Sequence, residues 1–158
     1  MIASVLVDNR YLLQYGIFAA LAAYACLRGE SPEKITGLIF VAAIVVEFVH
    51  HLDGRNDPGT SIDLLHLVLD AGMFVGFAIV AMRANRIYPL CILAMQLIVL
   101  VMHFQRALFD PLPPIIYWIM VRLPSYLQMV AFAWGLAAHR RRARRGIHAP
   151  PWRSSLRR

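Results

Sequence analysis

Five long apolar runs, parted by short charged or proline-rich stretches, constrain this chain more than any other feature. They cover roughly residues 11–27, 35–51, 61–82, 88–109 and 125–139. Most have the ~17–25 residues that a helix needs to cross a bilayer. Hydrophobic residues make up 59% of the 158, and the mean hydropathy is +0.59. A soluble fold, at about 45–50% apolar, has no place to hide that much apolar surface. The expectation is an all-α, polytopic integral membrane bundle of about five transmembrane helices. Residues 1–139 would form the bundle and residues 140–158 a basic cytoplasmic tail.

The breaks between the runs carry their own signals. Ser31 suits an N-cap, with Pro32 at the first helical position and Glu33 in the first turn. Asp53-Gly54-Arg55-Asn56-Asp57-Pro58-Gly59 reads as a turn. The loop Arg83-Ala84-Asn85-Arg86 is short enough to force its flanking helices into an antiparallel hairpin. Gly72 and Gly76 form a GxxxG spacing, which lets a neighbouring helix approach closely. Pro111-Leu112-Pro113-Pro114 breaks the chain, because proline lacks a donor and fixes φ. Residues 115–121, with Tyr117 and Trp118, then suit an interfacial segment before a last helix that restarts at Pro124. The alternative is one long kinked helix from Ile115, with Arg122 reaching to the interface. Cys26 and Cys91 lie in apolar runs with no metal spacing and read as packing residues.

Charge sets the expected orientation. With five spans, one face receives Arg28, Lys34, Arg83, Arg86 and the eight arginines of residues 140–158, twelve cations against Glu30 and Glu33. The other receives Arg10, Arg55, Arg106 and Arg122 with the remaining acids. The positive-inside rule puts the basic face in the cytoplasm and the N-terminus outside, in a bacterial-type inner membrane. Ala23-Tyr24-Ala25-Cys26 imitates a signal-peptidase site, but cleavage there would leave the arginine tail outside, so helix 1 is read as retained. Arg140, Arg141, Arg142, Arg144 and Arg145 are expected to hold anionic lipid headgroups. Nucleic acid is the weaker reading of this charge, because it is gathered in a tail and not spread along a groove.

One polar stretch stands out, EFVHHLDGRNDPGTSIDLLHLVLD at residues 47–70. On the expected topology Glu47, His50, His51, Asp63, His66, Asp70, His103 and Arg106 share the outer layer. Residues three, four or seven apart share a helix face, as do Glu47 with His50 and His51, Asp63 with His66 and Asp70, and His103 with Arg106 and Asp110. Carboxylate and imidazole at that spacing suit a transition metal, with Glu47, His50, His51, Asp63, His66, Asp70 and His103 as candidate ligands. His66 and His103, at matching depth, are equally candidate axial ligands of a haem. Asp70 is the most telling of the set, because a carboxylate near the bilayer centre costs several kcal/mol unless it is paired or neutralised. It is expected to act with His66 and His103 as one unit.

Plainer roles account for several of these residues. Glu47, His50, His51 and Asp63 stand near helix ends, where polar groups meet water, and Asp63 also suits the positive end of a helix dipole. Gln96 and Gln128 fit interhelical hydrogen bonds. The string Glu47-x-x-His50-His51 resembles the histidine boxes of membrane desaturases and hydroxylases. Those proteins need several boxes on the cytosolic side, so their activity is not carried over. The expected function is therefore a small non-enzymatic accessory or assembly subunit of a membrane complex, with lipids and other membrane subunits as partners. The rival is a metal-binding, haem-binding or proton-relaying protein built on the His/carboxylate layer.

Overall fold

A computed structural model of the chain describes residues 10–52, 64–108, 114–147 and 150–153. Among these residues there are five helices and no strand: α1 (Arg10–Arg28), α2 (Ser31–Leu52), α3 (Leu64–Arg83), α4 (Tyr88–Leu108) and α5 (Pro114–Arg144). Each helix packs on its sequence neighbours, and α1 also meets α5, so the five close on themselves. Two of them, Leu64–Arg83 and Tyr88–Gln105, are long and apolar enough to cross a membrane, whereas the apolar stretch of α1, Leu12–Arg28, is shorter. Five spans were expected. α2 carries three charged residues, Glu33, Lys34 and Glu47, and α5 carries Arg122 and the arginine run.

All five helices send residues to one core: Phe18, Phe40, Phe77, Ile92 and Phe132 are buried together. Phe40 is its hub, with the rings of Phe18, Phe77 and Phe132 at centroid distances of 4.5, 5.0 and 5.6 Å. All three contacts are tilted, as the aromatic quadrupole favours. Small residues set how closely the helices approach. A Cβ on Gly135 of α5 would lie 2.5 Å from Cγ of Tyr88 and 2.6 and 2.9 Å from its Cδ atoms. Gly135→Ala is therefore expected to cost about 1–3 kcal/mol by overpacking. Gly16→Ala in α1, which meets nothing within 4 Å, should be neutral or stabilising. Thermal unfolding of the two purified variants checks this; equal behaviour would rule out the close approach of α4 to α5.

Several expectations from sequence are corrected. The last helix does not restart at Pro124 but runs unbroken from Pro114 to Arg144. A proline removes one ladder hydrogen bond, and the packing of α5 on α4 beyond it, at Gln128, Phe132 and Gly135, holds the helix in place. α2 starts at Ser31 and not Ile35, because the Glu33 carboxylate accepts the backbone N–H of Glu30 at 3.2 Å. This is half of a capping box with Glu30, not Ser31, in the cap position. Of the GxxxG pair, a Cβ on Gly76 would lie 3.0 Å from Ile39 Cδ1 of α2, whereas one on Gly72 would meet nothing within 4 Å. The bundle does not stop at residue 139: Arg140, Arg141, Arg142 and Arg144 belong to α5, and residues 150–153 lie against the α3–α4 turn. There Asn85 N donates to Pro151 O at 2.9 Å and Arg153 N to Arg83 O at 2.8 Å, a short antiparallel bridge. The Asp53–Gly59 turn, Asp63, Asp110, the Pro111–Pro113 break and the side chains of His51 and Arg106 lie outside the described residues.

Candidate functional site

Two polar assemblies stand apart in the bundle, one reaching from its middle toward the end away from the α1–α2 and α3–α4 turns and one at those turns. The first is built on Asp70. The connection between α3 and α4 is only four residues, 84–87, so the two helices run side by side. On α4, Gln96 and His103 are seven residues apart and share the face that meets Asp70. Gln96 Nε2 donates to Asp70 Oδ1 at 2.8 Å and to the Asp70 carbonyl at 3.2 Å. His103 Nε2 lies 2.9 Å from the other carboxylate oxygen, Oδ2. Gln96 Oε1 in turn accepts from Gln128 Nε2 on α5 at 2.7 Å.

The sense of this chain follows from its carboxylate. An ionised carboxylate only accepts, so Gln96 must turn its amide nitrogen to Asp70. That leaves its oxygen for Gln128, and the Nε2 of Gln128 follows. Three helices are thus tied by bonds that all point toward one charge, with Gln96, His103 and Gln128 buried. Bonds to a charged acceptor are the strong kind.

Toward the same end, α2 and α3 bring Glu47, His50 and His66 together. His66 Nε2 is 3.9 Å from Glu47 Oε1, too long for a hydrogen bond. The His50 and His66 rings meet edge to face at 5.7 Å. His66 thus stands beside Glu47 and His50, one turn nearer the helix end than Asp70, and Asp70 and His103 form a pair of their own. The two histidines considered as haem ligands are each turned to a different carboxylate.

The second assembly, at the end holding the α1–α2 and α3–α4 turns, was read from sequence only as loop charge. Gly29 makes the α1–α2 turn tight: its N–H bonds Ala25 O at 2.8 Å, and a Cβ there would meet Ala25 O at 2.6 Å. The turn aims Glu30 and Glu33 at the next hairpin. Arg86 Nη2 lies 2.6 Å from Glu30 Oε2, and Arg86 Nε 3.7 Å from Glu33 Oε1. The Arg86 side chain is only 5% exposed and that of Glu33 0%. Thr36, equally buried, satisfies its hydroxyl on Pro32 O at 2.8 Å.

Glu30, Glu33 and His139 offer three ligand atoms within 4.8 Å of one another, the one such group among the described residues. Arg86 already supplies the positive charge that a divalent ion would bring. His139 Nε2 donates to the Arg28 carbonyl at 3.0 Å, which fixes the tautomer, since a carbonyl only accepts. The geometry is that of a closed salt-bridge cluster. The signal that could have exposed it is opposite charge on two turns at one end of the bundle, Glu30 and Glu33 against Arg86.

No protein-family model, no curated protein and no solved structure matches the chain.

Proposed function

We propose that the chain is a small multi-pass protein of a bacterial-type inner membrane, an accessory or assembly subunit without catalysis of its own. In this reading the Asp70 chain locks α3, α4 and α5 in register. Support for the membrane comes from what each helix leaves outside: Leu13, Val45, Val75, Val101 and Val130, one from each helix, are all more than half exposed. Polar groups are drawn inward instead, Gln96, Gln128, Glu33 and His103 among them. Exposed apolar patches of this kind call for lipid or partner helices. The observation that carries the locking role is the Asp70 carboxylate, with a bond to α4 on each oxygen. In hydrocarbon such bonds fix one helix register at about 0.6–2 kcal/mol each.

A second reading, proton exchange at the Asp70–His103 pair, rests on the chemistry of that 2.9 Å contact, in which an imidazole can either give or take the proton. Asp70→Asn separates the two. The amide keeps the shape, its oxygen can accept from Gln96, and its nitrogen can donate to the other tautomer of His103. Locking therefore predicts a folded, normally inserted protein with Asp70→Asn and a loss of about 1–2 kcal/mol with His103→Ala. Proton exchange predicts that both variants abolish proton movement into proteoliposomes while the fold persists. Additive losses in the double variant would show that Asp70 and His103 do not act together.

The expected orientation is tested in the same cells. A fluorescent protein fused after Arg158 should glow and alkaline phosphatase fused there should be inactive. The reverse result would overturn the cytoplasmic placement of the C-terminus.

A further inference from the structure

α1 meets α5 far more sparsely than it meets α2. A cleft of about 400 Å³ opens between α1 and α5. Its inner part is apolar, walled by Leu21 and Tyr24 from α1 and by Ala133 and Ala137 from α5. The two alanines, four residues apart, sit one above the other and leave the space that a larger side chain would fill. The same stripe of α5 then changes character. Arg140, Arg141 and Arg144 continue it at helical spacing and line the mouth of the cleft. All three are exposed, and among the described residues no ion pair joins them to a carboxylate. Arg142, between them, turns inward, with Nη2 buried.

We infer that this cleft is a binding site for one anionic phospholipid, with the headgroup phosphate held by Arg140, Arg141 and Arg144 and an acyl chain laid along Leu21, Tyr24, Ala133 and Ala137. The inference rests on the membrane reading above and adds an ordered ligand to it. The order of chemistry along the cleft matches that of a lipid: guanidinium groups stand at the helix end, where a headgroup lies, and apolar walls run toward the bundle's middle, where chains lie. Guanidinium is also the side chain best shaped to bind phosphate through two hydrogen bonds at once. Basic pockets between helices at the cytoplasmic face are the expected place for such recognition. A tail acting only through its charge would need no cavity, and a site for free phosphate would need no apolar wall.

The full chain, extracted from membranes in mild detergent, is mixed with phosphatidylglycerol, phosphatidylcholine or glycerol phosphate, and retained adducts are read by native mass spectrometry. Phosphatidylglycerol should be retained about tenfold better than phosphatidylcholine, and glycerol phosphate should not be retained. The combined variant R140Q/R141Q/R144Q should lose that preference. Ala137→Trp, which fills the apolar half at an exposed position and leaves every charge in place, should lose it too. R83Q/R153Q, with charge removed at the same end but outside the cleft, should keep it. Retention by Ala137→Trp, loss in R83Q/R153Q, or equal retention of glycerol phosphate would each overturn the cleft. Protein found in the soluble fraction without detergent would overturn the membrane reading and the cleft together. Membrane-bound protein with no lipid preference would overturn the cleft alone.

Discussion

Arg86→Met is expected to destabilise the protein by about 3–5 kcal/mol, the cost of leaving a buried charge without its partner. The charge left behind is that of Glu33, whose side chain is 0% exposed and whose Oε1 lies 3.7 Å from Arg86 Nε. Glu30 contributes less, because its side chain is 40% exposed and water screens it. Adding Glu33→Gln to Arg86→Met should recover much of the loss, since the amide removes the charge and its oxygen can still accept the Glu30 N–H. Recovery should be incomplete, because Arg86 also donates to Asn85 O at 3.0 Å and reaches Pro150 O at 3.4 Å. Thermal unfolding in detergent of the single and double variants gives the coupling directly. A single-variant loss below about 1 kcal/mol, the range of an exposed pair, would mean that the cluster is not closed as described.

The second large effect is expected at Phe40. Its ring is 3% exposed and meets three others, so Phe40→Ala leaves a cavity bounded by three different helices. The cost should be about 3–5 kcal/mol. Much of it is lost contact between close-packed atoms, a term that persists where the surroundings are lipid and not water. Phe48, on the same helix and 51% exposed, is the control, and Phe48→Ala should change stability by no more than about 0.5 kcal/mol. Equal losses at the two positions would place the packing centre elsewhere.

The helices were legible because length and apolar content are local properties, and each run from Tyr11 to His139 advertises itself within its own residues. Shared helix faces tied Asp70 to the unit with His103, and the two lie 2.9 Å apart, whereas matching depth had pointed to His66 as the neighbour of His103. The same reasoning, taken one step further, would have attached Gln96 to Asp70, since Gln96 is seven residues before His103 and therefore on its face. Arg86 with Glu30 and Glu33 could not be read this way. Those residues belong to different turns, and no periodicity relates one turn to another. Pro124 misled for a different reason: the penalty for an interior proline is a few kcal/mol, and packing of the helix beyond it outweighs it. Residues 150–153 carry no pattern at all, and they are held on the α3–α4 turn through their own backbone groups, which bond the backbone of Arg83 and Asn85 and the side chains of Asn85 and Arg86.

That last contact has a consequence for how the molecule is made. The Asn85 side chain and the Pro150 carbonyl that it reaches are 65 residues apart in sequence. At ~5–20 residues per second, a ribosome takes about 3–13 s to synthesise what lies between them. During that interval the hairpin turn is already built, while the segment that will cover Arg83 O and the Asn85 N–H does not yet exist. Nascent protein should therefore pass through a stage in which four helices are joined and the turn is still open to proteases and to water. Closure of this end of the bundle waits for residues 150–153, and a probe at Asn85 would report their arrival, not the formation of the hairpin itself.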